Sequence, residues 1–424
     1  MVKIAINGFG RIGRCAARII LERDDVELVA INDTATRDMT RYLLKYDSVH
    51  GEFKQDVKVI NDDFIEVNGK KIRVFSTRDL NELSYADYGA DVVLECTGKF
   101  LTTEKCEPYL ARGIKKVVMS APAKDDTATR DMTRYLLKYD SVHGEFKQDV
   151  KVINDDFIEV NGKKIRVFST RDLNELSYAD YGADVVLECT GKFLTTEKCE
   201  PYLARGIKKV VMSAPAKDDT ATFVVGVNDD KYAGEAIVSN ASCTTNGLAP
   251  VAKVLNDKFG IVKGLMTTIH AYTNGQSLVD VKAKDFRRSR AAALNIGPTT
   301  TGAAKAIAKA LPELNGKMHG QSVRVPVANV SMVDLTAVLK RPASKEEINE
   351  AFRAAAESNL KGILFVDDDY RVSSDFCTSA YSSIVASDTT QVIADDMVKV
   401  FAWYDNEWGY STRLVDLAKI VATK

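Results

Sequence analysis

Apolar and polar positions along this chain fall into two periods, and those periods mark out its elements. "VKIAIN" (2–7) is a short apolar strand, and Gly8-Phe9-Gly10-Arg11-Ile12-Gly13 leads from it into a helix that runs to the region of Glu22. "ELVAIND" (27–33) is a second strand, and "RDMTRYLLKY" (37–46) has helical spacing. "VKVI" and "FIEVNGKKIRVF" alternate around Asn68-Gly69, which predicts a hairpin. "ADVVLECTG" (90–98) predicts a buried strand, "TEKCEPYLARG" a helix ending at Gly113, and "IKKVVMSAP" a further strand. Alternating strands and helices of this kind build a parallel, doubly wound α/β sheet.

The pattern is then repeated word for word. Residues 33–129 and 126–222 are identical at every position and share Asp126-Thr127-Ala128-Thr129. Units of an old repeat array drift and differ at their caps, whereas these do not, so the passage reads as a tandem duplication. Copy one follows the second strand without interruption and is expected to complete the sheet. Residues 130–222 then leave from the polar "AKDDTAT" loop as an insertion, exposing strand edges and apolar faces.

Beyond the repeat, "IVSNASCTTNGLAPVAKVL" runs from a strand into a helix at a cysteine. "VKGLMTTIHAYT", "QSVRVPV", "SMVDLTAVLK" and "MVKVFAWYDN" are strand-like. One helix among them carries Ser344 and Glu347 at capping-box spacing, and "YSTRLVDLAKIVATK" closes the chain as another. This half reads as an α+β domain with a mixed sheet.

Composition narrows the picture only a little. A net charge of −1 with 28 % charged residues gives no basic footprint for nucleic acid and no polybasic membrane patch. No run of apolar residues is long enough to span a bilayer. Seven scattered cysteines, with no metal-ligand spacing, point to a reducing cytoplasm and to no metal.

The candidate chemistry begins with the glycine motif. It follows a strand, opens a helix, and is answered by Asp33 at the end of the next strand, which is the full context for a dinucleotide. Gly8 allows the tight turn, Gly10 the approach of a pyrophosphate and Gly13 the helix–strand contact, while Asp33 accepts from the adenosine ribose. Asp33 also repels a 2′-phosphate, favouring NAD over NADP. Cys243 in "SNASCTTN" stands among polar residues at a helix start, where amides and the helix dipole are expected to lower a thiol's pKa. Its base is sought among four histidines. His50 and His143 are one position in two copies, which leaves His270 in "TTIHAYTN" and His319 in "LNGKMHGQS"; His270, at a strand end, is the better placed. Arg324 in "VRVPV" is either a buried cation awaiting an anionic partner or part of a solvated strand face. "KDFRRSR" (284–290) taken alone is a solvated face or a subunit contact.

Together, "INGFGRIGR", "SNASCTTN", "HAYTNGQ", "GPTTTGAAKA", "VRVPV" and "WYDNEWGYS" resemble the phosphorylating glyceraldehyde-3-phosphate dehydrogenase family. The resemblance implies a Rossmann NAD-binding domain over 1–242 (including the repeat), a catalytic domain over 243–406, and a helix over 407–424 that packs back on the first. It implies Cys243 as nucleophile and His270 as its base, with NAD held by Arg11, Ile12, Asp33, Arg78, Ser120 and Asn406. Thr273 and Arg324 match the pocket for the substrate's phosphate. Ser242, Thr244, Arg287, Thr301 and Gly302 match the surroundings of the attacking inorganic phosphate. The implied activity is oxidation of glyceraldehyde 3-phosphate to 1,3-bisphosphoglycerate in glycolysis, by a cytoplasmic homotetramer. Erythrose 4-phosphate is an alternative substrate, and a silent duplicated variant serving as an interaction surface is an alternative of another class. Lys282 stands where NAD-specific members usually carry proline, which extends cofactor use toward NADP.

Overall fold

The computed structural model describes all residues except 49, 98, 101–102, 120–128, 171 and 284. The chain divides into two compact units, Met1–Thr127 with Thr273–Gly297, and Ala128–Tyr272 with Pro298–Lys424.

In the first unit the elements follow the sequence pattern closely. β1 (Val2–Asn7), α1 (Arg11–Leu21), β2 (Val26–Asn32), α2 (Arg37–Lys45), β3 (Val57–Asn61), β4 (Phe64–Val67), β5 (Lys70–Phe75), β6 (Val92–Glu95), α3 (Thr103–Ala111) and β7 (Lys116–Met119) succeed one another. Among the described residues they form a seven-stranded sheet ordered β3-β4-β5-β2-β1-β6-β7. The β5-β2-β1-β6-β7 run is parallel, with Asn7 level with Asn32 on one side and Glu95 on the other. The hairpin turn holds Asn68 at φ +49° and Gly69 at φ +80°, the two left-handed positions that an Asn-Gly turn accommodates. One face of the sheet closes over Ile6, Phe9, Ala17, Ile20, Ile31 and Leu44, the other over Val29, Phe75, Tyr85, Val93 and Tyr109.

Copy one therefore fills the sheet, as expected, but copy two is not a free insertion. It repeats the same elements: α4 (Arg130–Lys138), β8 (Val150–Asn154), β9 (Phe157–Val160), β10 (Lys163–Arg166), β11 (Val185–Glu188), α5 (Thr196–Ala204) and β12 (Lys209–Met212). β8, β9 and β10 form a small antiparallel sheet of their own. β11 and β12 pair in parallel, and β13 (Ile237–Ser239) joins β12 with Met212 level with Ser239. The strand leading to Cys243 thus takes its partner from copy two, which corrects the expectation that residues 130–222 hang from a loop. Met212 stands far closer along the chain to Ile237 than the identical Met119 does, so closing β12 onto β13 loses less chain entropy.

The expectation of exposed apolar faces holds for the front of copy two. Met39 and Leu44 of α2 are 3 % and 0 % exposed, whereas their twins Met132 and Leu137 on α4 are 47 % and 43 % exposed.

The rest of the second unit is a mixed sheet backed by helices. Its elements are α6 (Cys243–Phe259), β14 (Ile261–Ala271), β15 (Gly297–Thr300), α7 (Ala303–Ala310), β16 (Met318–Val325), β17 (Ser331–Leu339), α8 (Lys345–Glu357), β18 (Leu364–Asp367), β19 (Ser383–Ala386), β20 (Gln391–Ile393), β21 (Met397–Tyr404) and α9 (Trp408–Thr423). The order is β15-β16-β14-β17-β21-β19-β18, with β20 also on β21. β14 is parallel to β16 and antiparallel to β17. Ser344 caps α8 and Glu347 returns the bond, completing the capping box read from sequence. The buried face of α6 packs Leu248, Val251 and Leu255 into the largest core. No helix among the described residues is long and apolar enough to cross a membrane.

Candidate active site

In the first unit the glycine turn is built by close backbone approach. Gly8 stands at φ +92°, and a Cβ there would lie 2.6 Å from Thr97 N. A Cβ at Gly13 would lie 2.2 Å from the Gly8 carbonyl oxygen, while Gly10 faces open space. No side chain caps α1, so the amides of its first turn stay available to an anion. These features fit a dinucleotide's pyrophosphate. Asp33, 5 % exposed, accepts from Thr40 Oγ1 at 2.9 Å, from Ala35 N at 3.1 Å and from Lys282 Nζ at 3.2 Å. The lysine flagged in the sequence is therefore bound to the very carboxylate whose selectivity it was expected to soften. Arg11 forms an ion pair with Asp47, and Arg78 is exposed in the loop after β5. Ile12 lies in the first turn of α1 with its side chain outside the described part, and Ser120 lies outside the described residues altogether.

The segment 273–297, which carries Thr273 and Arg287, is held to this unit by residues the sequence did not single out. Buried Arg14 donates to the carbonyls of Phe9 at 3.1 Å and Asp280 at 2.5 Å. The fully buried Asp280 carboxylate accepts from Ser48 N and Ala291 N, both at 2.9 Å, and pairs with Arg290 Nε at 3.2 Å. An arginine inside "GRIGRC" and a lone aspartate in a loop carried no signal beyond their charge. Arg287 itself is exposed, its backbone N–H donating to Asp285 Oδ1 at 2.8 Å.

In the second unit, β13 delivers the chain to the cysteine through a strained step. Ala241 sits at φ +56°, a region that residues with a side chain rarely adopt, and Tyr410 Oη donates to its carbonyl at 3.1 Å. Ser242 caps α6, its Oγ accepting from Thr245 N at 3.0 Å, which makes Cys243 the first helical residue. Cys243 Sγ lies 3.5 Å from His270 Nε2. His270, 4 % exposed, ends β14, and the parallel register sets Arg324 of β16 directly beside it. Ala271 O lies 2.7 Å from His270 Nδ1, while Arg324 Nη1 reaches Nδ1 at 2.8 Å and the same carbonyl at 2.7 Å. When Nδ1–H is given to the carbonyl, Nε2 faces the thiol with a lone pair; a bond from Arg324 to Nδ1 favours the opposite tautomer. Of the two readings of Arg324 left open by the sequence, the partnered cation is the one observed, with His270 and a carbonyl as its partners.

Burial pushes the Cys243 thiol up from its ordinary value, and the hydrogen bonds of Thr244 and the charge of Arg324 pull it down only in part. This overturns the lowered pKa expected from the helix start: desolvation of the thiolate outweighs the helix amides. Tyr404, missed in the sequence, braces the group. Its buried hydroxyl meets Thr244 Oγ1 at 2.9 Å and Thr268 Oγ1 at 2.8 Å, and its ring stands edge-on to His270 at 6.0 Å. Its only sequence signal was an alternating position in "VFAWYDN".

Elsewhere in this unit Asn406 is buried and accepts from Ser331 Oγ at 2.7 Å. Thr301 Oγ1 accepts from Ala303 N at 3.2 Å, and Gly302 precedes α7 with no side-chain cap. His319 is exposed. Ser213, the twin of Ser120, follows β12 with its N–H donating to Glu188 O at 3.0 Å, and the neighbouring Ala214 carbonyl accepts from Ser239 Oγ at 2.7 Å. The serine next to the cysteine strand is thus the copy-two residue.

Two family models match the chain: "Glyceraldehyde 3-phosphate dehydrogenase, NAD binding domain" over residues 2–103 and 114–196, and the C-terminal domain of the same family over 242–406. A glyceraldehyde-3-phosphate dehydrogenase of Geobacillus stearothermophilus is 50 % identical over 322 residues, covering 74 % of this chain and 96 % of that protein. One from Mycobacterium avium is 54 % identical over 301 residues, 70 % of this chain and 88 % of its own. The chloroplastic B protein of Pisum sativum is 55 % identical over 294 residues, 68 % of this chain and 65 % of its own.

Proposed function

The chain belongs to the glyceraldehyde-3-phosphate dehydrogenase family, and from that premise we propose that Cys243 and His270 carry out the phosphorylating oxidation of D-glyceraldehyde 3-phosphate. The observation that carries this reading is the 3.5 Å approach of Cys243 Sγ to His270 Nε2. His270 takes the thiol proton, which a thiol raised by desolvation does not readily give up to water at neutral pH. Sulfur adds to the aldehyde carbon, and the proton held by His270 passes to the aldehyde oxygen, which gives a thiohemiacetal and leaves His270 neutral again. His270 then removes the hydroxyl proton as the carbon is oxidised to a thioester. When bound, NAD supplies the hydride acceptor for that oxidation. Inorganic phosphate attacks the thioester, forming 1,3-bisphosphoglycerate and returning the Cys243 thiolate.

The helix start at Cys243, with the amides behind Ser242 and Thr244, suits the oxyanion of the tetrahedral species. Arg324 contributes a fixed positive charge beside the pair and suits the substrate's phosphate together with Thr273. Thr301, Gly302 and Arg287 are assigned to the attacking phosphate. Gly8, Gly10, Arg11, Ile12, Gly13, Asp33 and Arg78 are assigned to NAD, with Asn406 at the nicotinamide. Ser213 takes the role first given to Ser120, because it adjoins the strand that delivers Cys243. The chain should form NADH from glyceraldehyde 3-phosphate only when phosphate is present, and Cys243→Ser should abolish this. Phosphate-independent turnover, or turnover by the serine variant, would overturn the assignment.

The duplication, the cytoplasmic location and the homotetramer belong to the same proposal. Support for assembly comes from a cleft of about 980 Å3 on the open face of β14, β17 and β21, beside the exposed Leu265. Sedimentation should give four chains per particle, and a monomer at micromolar concentration would refute it. The division into 1–242 (with the repeat included), 243–406 and 407–424 belongs to this proposal as well. Excising 130–222 lets the β7 strand meet β13 directly, and that shorter chain should be at least as active as this one.

A further inference from the structure

Copy two brings His143 to a place its twin His50 does not occupy. We infer that His143, Cys377 and Asp405 form a binding site for a zinc-like divalent metal ion. One ligand atom from each lies within 4.8 Å of the others. His143 Nε2 stands 3.0 Å from Glu407 Oε2, so the carboxylate takes the Nε2 proton and leaves the Nδ1 lone pair. Nδ1 is buried and has no hydrogen-bond partner. An imidazole clustered with a thiol and a carboxylate, with one ring nitrogen buried and unpartnered and the other held by a second carboxylate, is the arrangement that metal-ligating histidines use.

The other two ligands are equally prepared. Asp405 is 1 % exposed, and its Oδ1 is taken by Asn329 Nδ2 and by the N–H groups of Glu407 and Trp408. Oδ2 accepts from Thr378 N at 2.8 Å and keeps lone-pair capacity. The Cys377 thiol lies 3.6 Å from the Val142 carbonyl, in the same turn that carries His143. Binding releases the thiol proton and forms the metal–sulfur bond. One thiolate and one carboxylate then balance a divalent ion, with neutral imidazole as the third ligand. Tetrahedral zinc, with bonds of about 2.0–2.3 Å, needs these atoms to draw together by roughly 1 Å. Nitrogen, sulfur and oxygen donors favour zinc or cobalt over magnesium or calcium.

Sequence cannot make this site by itself, because His50 shares every near neighbour in the chain. His50 instead borders a cleft with Cys15, Arg18 and Glu22. An ion on Asp405 also fixes the residue before Asn406, so occupancy should stiffen the loop assigned to the nicotinamide.

The test uses cobalt(II) as a spectroscopic probe on the full chain. A near-ultraviolet thiolate-to-cobalt band should appear, persist in Cys243→Ser and vanish in Cys377→Ser. His143→Ala should weaken cobalt binding by about tenfold or more, and His50→Ala should leave it unchanged. Circular dichroism confirms that each variant is folded. The inference fails if no such band forms, if the band follows Cys243 instead of Cys377, or if the two histidine variants behave alike.

Discussion

The identical copies allow one perturbation to be made twice in one molecule. Leu44 on α2 is 0 % exposed and packs with Ile6, Ile31 and Ile72, while its twin Leu137 on α4 is 43 % exposed. Leu→Ala removes three carbons' worth of apolar surface, about 2.4 kcal/mol at roughly 0.8 kcal/mol per methylene. At Leu44 a cavity term adds to this, so the total should be about 3 kcal/mol. At Leu137 nearly half the surface is already wet and water fills the gap, so about 1 kcal/mol should be lost. For units of this size 1 kcal/mol moves the melting midpoint by roughly 2–4 °C. Far-ultraviolet circular dichroism should therefore show a fall of about 6–12 °C for Leu44→Ala and a few degrees for Leu137→Ala. Urea titration gives the free energies directly, with Trp403 and Trp408 reporting on the second unit alone. Equal shifts, or a larger one at Leu137, would refute the claim that copy one and not copy two closes over this helix face.

Other outcomes follow from the site. Because the Cys243 thiol is raised, its thiolate fraction grows only as pH climbs past the ordinary thiol range near about 8.5. Alkylation by iodoacetamide without substrate should thus keep accelerating above that pH, and a plateau reached below pH 8 would contradict the burial argument. Asp33→Ala should raise the KM for NAD by about ten- to a hundredfold, the loss of roughly 1.5–3 kcal/mol expected for a charged hydrogen bond. Lys282→Ala should do the reverse for selectivity, freeing the carboxylate and lowering kcat/KM for NADP relative to NAD; an unchanged ratio would mean that their 3.2 Å contact has no bearing on the cofactor. Tyr404→Phe should destabilise the second unit by about 1–3 kcal/mol in urea, because two buried threonine hydroxyls lose their partner.

The repeat separates what local sequence decides from what it does not. α2 and α4 begin alike, with Thr36 and Thr129 each accepting from the N–H three residues on, at 3.3 Å in both. Asn68 and Asn161 turn their hairpins at the same φ of +49°. Caps, turns and strand periods act over a few residues, so equal words give equal elements, and the glycine motif and the cysteine helix were legible for the same reason. Burial and partnership were not. Among the described residues β6 lies between β1 and β7, whereas the identical β11 pairs with β12 alone, and β12 rather than β7 received the strand before Cys243. The upward shift of that thiol, the brace from Tyr404 and the anchoring of 273–297 by Arg14 and Asp280 likewise arise between distant segments. Local hydrogen bonds are fixed by neighbours in the chain. Desolvation, strand pairing and side-chain packing depend on which surfaces meet, and two copies of one sequence can meet different ones.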